Sequence, residues 1–208
     1  MFRQLTPPAA APRRGALSAD LARMYGSFLQ GEQTSLSKKI AFLLTNSEFH
    51  CVACYRFGRF ANRVKRRSVV SGLLFLAIHR IWNRWVTHIH HCEISPRAQI
   101  APGFLLMHRT GVIIGAAKIG RNAVIHQNVT IGQRVSGGDH GLPTIGDNVW
   151  VGPGAIITGA IVIGGDATIS AGTVLSRDVP AHSLVAGVPG RVVTQNYDNR
   201  EMLGHVVA

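Results

Sequence analysis

Apolar residues recurring every six positions from Ile94 to Leu175 predict a β-helical solenoid, and a helix-patterned stretch ahead of them predicts an α-helical segment in front of it. Two observations sharpen this reading. The six-residue step breaks at only two places, each of which carries a histidine, and the chain's excess positive charge lies almost wholly before the repeat begins.

Apolar residues stand at 94, 100 and 106, then at 113, 119, 125 and 131, then at 145, 151, 157, 163, 169 and 175. Glycine often follows, as in Ile119-Gly120, Ile145-Gly146 and Val151-Gly152, and Ala or Val often stands four positions on, as at Ala98, Ala123, Val129 and Ala167. A period of six matches neither the 3.6-residue helical turn nor the two-residue alternation of a long strand. It matches a short strand and a turn, repeated, so that one apolar side chain per repeat points into a narrow core.

Ahead of the repeat, residues 1–17 are rich in Pro, Ala and Arg and are read as a disordered tail. Residues 18–90 read as helical. In "SADLARMYGSFL", Ser18 is the expected N-cap, and Leu21, Met24, Tyr25 and Phe28 share a face. "SVVSGLLFLAIHRIWNRW" is the most apolar helix. Its run Val69–Ile78 is about half of the roughly 20 residues that a membrane span needs. Residues 91–193 form the solenoid, and 194–208 are read as a C-terminal tail.

Of the 208 residues, residues 1–91 hold 14 Lys and Arg against 3 Asp and Glu, whereas residues 92–208 hold 8 against 7. A basic segment of this kind suits nucleic acid, an anionic membrane surface or an acidic polymer. No zinc-finger spacing or RNA-binding aromatic signature accompanies the charge, so no nucleic-acid partner is expected. Peripheral membrane contact is one reading of the segment. Apolar residues that surround the last helix, with no single stripe, favour packing within an oligomer instead. Three cysteines do not make a disulfide framework, and Cys51-x-x-Cys54 is read as two buried thiols. In "THIHHCE", strand alternation would place His88, His90 and Cys92 on one side, but no second ligand group accompanies them and no metal is expected. The N-terminal residues lack an apolar signal core, which predicts a cytoplasmic protein, at most peripheral at the inner membrane face.

The first break is a seven-residue step from Leu106 to Ile113, enclosing His108. The second is a fourteen-residue step from Ile131 to Ile145, whose insert "QRVSGGDHGLPT" holds His140. A solenoid can extrude a bulge or loop without losing its core, because each coil touches only its neighbours, and loops on rigid scaffolds are common sites of function.

The stretches "ISPRAQIAPGFLLMHRTGVIIG", "NVTIG", "PTIGDNVWVGPGAIITG" and "DVPAHSLVAGVPGRVV" resemble the hexapeptide-repeat acyltransferases, most closely their serine acetyltransferase-like branch. The resemblance covers residues 90–193. It implies a left-handed parallel β-helix, a homotrimer, and transfer of an acetyl group from acetyl-CoA to a hydroxyl. Left-handedness comes from the resemblance alone, since parallel crossovers are usually right-handed.

The resemblance also implies roles. An alcohol needs a base beside it to become a nucleophile, and imidazole can serve near neutral pH. His108 matches the family's catalytic histidine. Glu93 in "CEISP" matches the acidic residue fifteen positions upstream; at about eighteen residues per coil, the two should share a face and Glu93 should orient the imidazole. His140 matches the histidine of the extruded loop, in a run one residue longer before its proline. Gly154, Ala155 and Ala171 match small residues along the CoA groove, with Arg177 and Arg191 for its phosphates. Met107, Arg109 and Asp139 would face the acceptor. In serine acetyltransferases the residue before the catalytic histidine is acidic and helps bind the amino acid. Met107 cannot pair with an ammonium group, which points instead to a hydroxyl on a sugar of a surface or exopolysaccharide precursor, lipid-linked at the membrane. L-serine is the alternative acceptor. A non-catalytic solenoid that docks a membrane or protein partner is the alternative of another class.

Overall fold

The computed structural model describes residues 15–29, 35–135 and 141–204. Among the described residues four helices come first: α1 (Ala16–Phe28), α2 (Leu36–Thr45), α3 (Ser47–Lys65) and α4 (Val69–His90). Asn46 caps α3 by accepting from the Phe49 N–H at 2.7 Å, and Glu48 lies in the first turn, where the helix dipole favours a carboxylate. α3 and α4 form a hairpin. Its closeness depends on Gly72, where a Cβ would come within 2.2 Å of the Lys65 Cα.

Two differences from the sequence expectations fall here. Gly15, not Ser18, occupies the N-cap of α1; Ser18 is already helical and its hydroxyl donates to the Gly15 carbonyl at 2.7 Å. α4 continues through His88 and His90 and stops only at His91, which turns left-handed at φ 49°. His88 and His90 therefore do not alternate along a strand with Cys92, and among the described residues no three His, Cys, Asp or Glu side chains converge as a metal set.

From Cys92 the described residues wind through fifteen short strands in three sheets. One holds β1 (Cys92–Ile94), β4 (Val112–Ile114), β7 (Thr130–Gly132), β10 (Ile156–Thr158) and β13 (Val174–Leu175). A second holds β2 (Gln99–Ile100), β5 (Lys118–Ile119), β8 (Thr144–Ile145) and β11 (Val162–Ile163). The third holds β3 (Leu105–Leu106), β6 (Val124–Ile125), β9 (Trp150–Val151), β12 (Thr168–Ile169), β14 (Ser183–Ala186) and β15 (Arg191–Gln195). All pairings are parallel except the closing β14–β15 hairpin.

Three inward stacks build the core: Ile94, Ile114, Ile131, Ile157 and Leu175; Ile100, Ile119, Ile145 and Ile163; and Leu106, Ile125, Val151, Ile169 and Val185. All are buried. One position departs from the sequence reading. Ile114, 1% exposed, is the inward residue, while Ile113 is 49% exposed and faces out. The wall thus loses step by eight residues from Leu106 to Ile114 and recovers with five to Ile119.

Coil 1 has an open side, because nothing precedes it in the stack, and the helices close it with polar side chains. The Tyr55 hydroxyl donates to the Ala98 carbonyl at 3.0 Å and accepts from the Ile100 N–H at 3.1 Å. Arg56 donates to the Ile100 carbonyl at 2.6 Å and the Ala101 carbonyl at 3.0 Å, and its Nε pairs with Asp20 at 2.7 Å. Asp20, fully buried, accepts from the N–H groups of Gly103 and Phe104, both at 2.9 Å. Arg23, also fully buried, donates to the carbonyls of Gly103 and Leu203. Burial lowers its guanidinium to about 10, still cationic at neutral pH.

The Leu203 contact corrects the expectation of a tail from residue 194. β15 extends to Gln195, a short helix α5 (Arg200–Leu203) follows, and Asn199, buried, donates to the Asn148 carbonyl at 2.9 Å. The segment folds back because these polar contacts and the buried Leu203 side chain anchor it to α1 and the solenoid corner.

Removing one member of a buried, hydrogen-bonded charge set leaves its partners desolvated and unpaired, at a cost of about 3–5 kcal/mol. Asp20→Ala should lose about 3 kcal/mol or more, read by chemical denaturation of the full-length protein, because Arg56 and two backbone N–H groups lose their acceptor together. A loss below about 1 kcal/mol, the level of a surface ion pair, would contradict the lock.

Candidate active site

The two extra residues between Leu106 and Ile114 leave the wall as a bulge over Met107–Gly111. Backbone bonds pin its ends: the Met107 N–H donates to the Ile125 carbonyl and the Gly111 N–H to the His91 carbonyl, each at 2.8 Å. At the crest His108 has φ 55°, a left-handed conformation uncommon for a side chain other than glycine, and its ring is exposed. Among the described residues, no side chain hydrogen-bonds the imidazole.

His126 stands beside it. Leu106 pairs with Ile125, which puts the next residues of the two coils, Met107 and His126, side by side. The His126 ring packs on Trp150 with centroids 4.8 Å apart, and burial, with His108 as a lesser cause, pushes its imidazole below the usual range, so it is neutral at neutral pH. The sequence reading missed His126. It occupies a regular repeat position, and its only signal is that it follows an inward isoleucine by one, as Met107 follows Leu106.

Glu93 lies on β1 opposite Ile113 and points outward, while His108 occupies the corner between β3 and β4. The two do not share a face as expected. Twenty residues, not eighteen, separate the paired Ile94 and Ile114, and no hydrogen bond joins the Glu93 carboxylate to the ring. Arg109 does not project freely towards an acceptor. It turns under the bulge to Glu48 of α3, Nη1 to Oε1 3.5 Å. Asp139 and His140 lie outside the described residues.

The CoA candidates divide. Gly154, at φ 70°, sits at a corner stacked on Gly172, where a Cβ would meet nothing closer than 3.9 Å. Ala171 is exposed on the same corner, whereas the Ala155 methyl is buried in the core, so only its backbone could line a groove. Beside Gly154, whose N–H bonds the Gln127 carbonyl, the Gln127 side-chain oxygen is buried with no partner. Such an acceptor suits an amide N–H of a pantetheine arm. Arg177 and Arg191 are both exposed, and the Gly190 N–H bonds the Val174 carbonyl at 2.8 Å, which brings Arg191 alongside β13. Exposed guanidinium groups on this part of the solenoid suit phosphates. These residues fit acetyl-CoA.

Residues 143–177 match the family profile described as bacterial transferase hexapeptide (six repeats). The chain is 37% identical over 158 residues to a serine acetyltransferase of Bacillus pumilus, covering 76% of this chain and 69% of that one. It is 36% identical over 152 residues to the serine acetyltransferase of Escherichia coli K12, covering 73% of this chain but 52% of that one. Among solved structures it is similar to a serine acetyltransferase of Vibrio cholerae, with TM-score 0.73, 28% identity, and coverage of 90% of this chain and 68% of that one. It is also similar to a Brucella abortus serine acetyltransferase in complex with coenzyme A, with TM-score 0.70, 26% identity, and coverage of 86% and 67%. The solenoid is a left-handed parallel β-helix, and acetyl-CoA is the co-substrate. The chain belongs to the serine acetyltransferase-like branch of the hexapeptide-repeat acyltransferases.

Proposed function

We propose that this acyltransferase moves the acetyl group of acetyl-CoA to the hydroxyl of L-serine, with His108 as general base. The observation that carries the chemistry is His108 itself, raised on a bulge beside a neutral second imidazole. The names of the relatives support serine as acceptor. The His108 imidazole takes the hydroxyl proton as the oxygen attacks the thioester carbonyl. A C–O bond forms, the C–S bond breaks, and the departing CoA thiolate recovers the proton from the imidazolium. In this reading Glu93 and His140 keep the roles that the family resemblance implies, Glu93 to hold the protonated ring and His140 to serve on the acceptor side. Trimer formation, as the family resemblance implies, accompanies this reading.

A second reading, a sugar hydroxyl, is favoured by Met107. Half-buried between the wall and His126, it offers a thioether where an amino acid acceptor would want a carboxylate. This reading also has a location. Val70, Leu74, Ile81 and Trp85 form an exposed apolar row on the outer side of α4, flanked by Arg80 and Arg84, and no acidic residue lies on that helix. Such a face suits the headgroup region of an anionic membrane at the cytoplasmic side, where a lipid-linked acceptor would be met.

Release of free thiol from acetyl-CoA by the full-length protein, offered L-serine or sugar acceptors, tests the two readings. We expect turnover with serine, and a loss of about 10²–10⁴-fold in His108→Ala with its oligomeric state retained. Turnover with sugars alone would replace the first reading by the second, and a His108→Ala variant of full activity would remove the base.

Sedimentation with vesicles tests the location. Each basic residue at an anionic surface is worth about 1 kcal/mol, and salt screens it. The protein should therefore sediment with anionic but not neutral vesicles at low salt, and Arg80→Glu with Arg84→Glu should abolish this. Equal recovery with both vesicle types would reject membrane contact.

A further inference from the structure

We propose that Glu48, at the start of α3, is a positioning residue for acyl transfer: by gripping Arg109 it holds the bulge that presents His108. The proposal rests on His108 being the base.

The bulge has few other constraints on its side chains. Residues 107–111 have left the stack of inward side chains, and among the described residues the His108 ring has no hydrogen bond to steady it. Its immediate neighbour is the exception. Arg109 passes beneath the bulge into the helical segment, where Glu48 meets it at 3.5 Å; their side chains are 29% and 13% exposed. The site is built from both ends of the helical hairpin. Glu48 comes from the first turn of α3, and His90 from the last turn of α4.

The surroundings give this pair its weight. His90 is 6% exposed, wedged against Trp85 with ring centroids 4.9 Å apart and His50 at 5.9 Å, and neither ring nitrogen has a partner. Burial and the nearby Arg109 both push its imidazole down, so it is neutral and cannot compete with Arg109 for the Glu48 carboxylate as a cation. His50 gives its Nε2 to the Leu43 carbonyl at 2.9 Å and is likewise occupied. Glu48 is thus the one carboxylate among the described residues placed to hold Arg109, which it meets through Nη1, while the Arg109 Nε is buried with no hydrogen-bond partner. The consequence is mechanical. A shift of α3 or of the α4 terminus moves Arg109, and with it the residue one peptide away that carries out the chemistry. Misplacement of a catalytic group by about 1 Å can cost up to about 10²-fold in rate.

The test uses the full-length protein with Glu48→Gln, and with the charge swap Glu48→Arg plus Arg109→Glu. Amide exchange at Met107 and Gly111 should quicken by about tenfold in Glu48→Gln, while Gly120 and Gly152 in the regular coils keep their wild-type rates. In the same variant, kcat should fall by about 10- to 100-fold with the KM for acetyl-CoA unchanged, and the swap should recover most of both. Wild-type exchange at Met107 and Gly111 would overturn the proposal. So would a loss of kcat accompanied by faster exchange throughout the solenoid with no recovery in the swap, since that is simple destabilisation. If His108→Ala is inactive while Glu48→Gln matches wild type, the clamp alone fails; if His108→Ala is fully active, the base assignment fails, whatever Glu48 does.

Discussion

The structure depends on closing the first coil of its solenoid. Each inner coil has a coil on either side to take its backbone hydrogen bonds and cover its apolar interior, and the last is closed by the β14–β15 hairpin. Coil 1 has such a neighbour on one side only. Left open, it would present the N–H groups of Ile100, Gly103 and Phe104 and the end of the isoleucine stacks to water, in the way any unpaired strand edge invites association with another chain. The helices supply Tyr55, Arg56, Asp20 and Arg23 in place of a preceding coil. A buried backbone group left without a partner costs about 1–3 kcal/mol, so side chains that satisfy several at once decide where the helical segment must sit. That placement in turn fixes the start of α3 and the end of α4 against the bulge. The same docking that ends the solenoid therefore brings Glu48 to Arg109.

The solenoid was largely legible in the sequence because its core is local and periodic. One apolar residue in six names an inward position without knowledge of any distant partner, and only Ile113 misled. Two adjacent isoleucines are equally apolar, and the choice between them depends on how many residues the bulge extrudes. The cap was illegible for the opposite reason. Asp20 and Arg23 look like the solvent face of an amphipathic helix, yet both are fully buried, because their partners lie 36 residues away in Arg56 and 80 or more away in the solenoid. The fold-back of residues 194–203 depends on the same distant arginine.

The site divides along the same line. His108 was legible because it breaks a regular pattern, and a break in a periodic wall is visible in one dimension. His126 keeps the pattern and so gave no sign. The family resemblance puts Arg109 at the acceptor, but an ion pair with α3, 61 residues earlier, sets its direction. Counting residues per coil puts Glu93 and His108 on one face, but Glu93 sits on β1 while His108 lies on the corner bulge between β3 and β4. Met107 remains the sharpest departure from the branch to which the chain belongs. The swap of an acid for a thioether beside the base lies in the sequence, but its consequence for the acceptor is a matter of chemistry in the site.

The claim that the helices stand in for a missing coil is tested most directly by native-state amide exchange at Ile100, Gly103 and Phe104. Their N–H groups bond only to the side chains of Tyr55 and Asp20. If the cap is integral to the solenoid, these amides exchange as slowly as Gly120 and Gly152, which bond to strand carbonyls of the next coil, and open only with the fold as a whole. Exchange at the rate of exposed loop amides, with Gly120 and Gly152 still protected, would show that coil 1 stands without its cap.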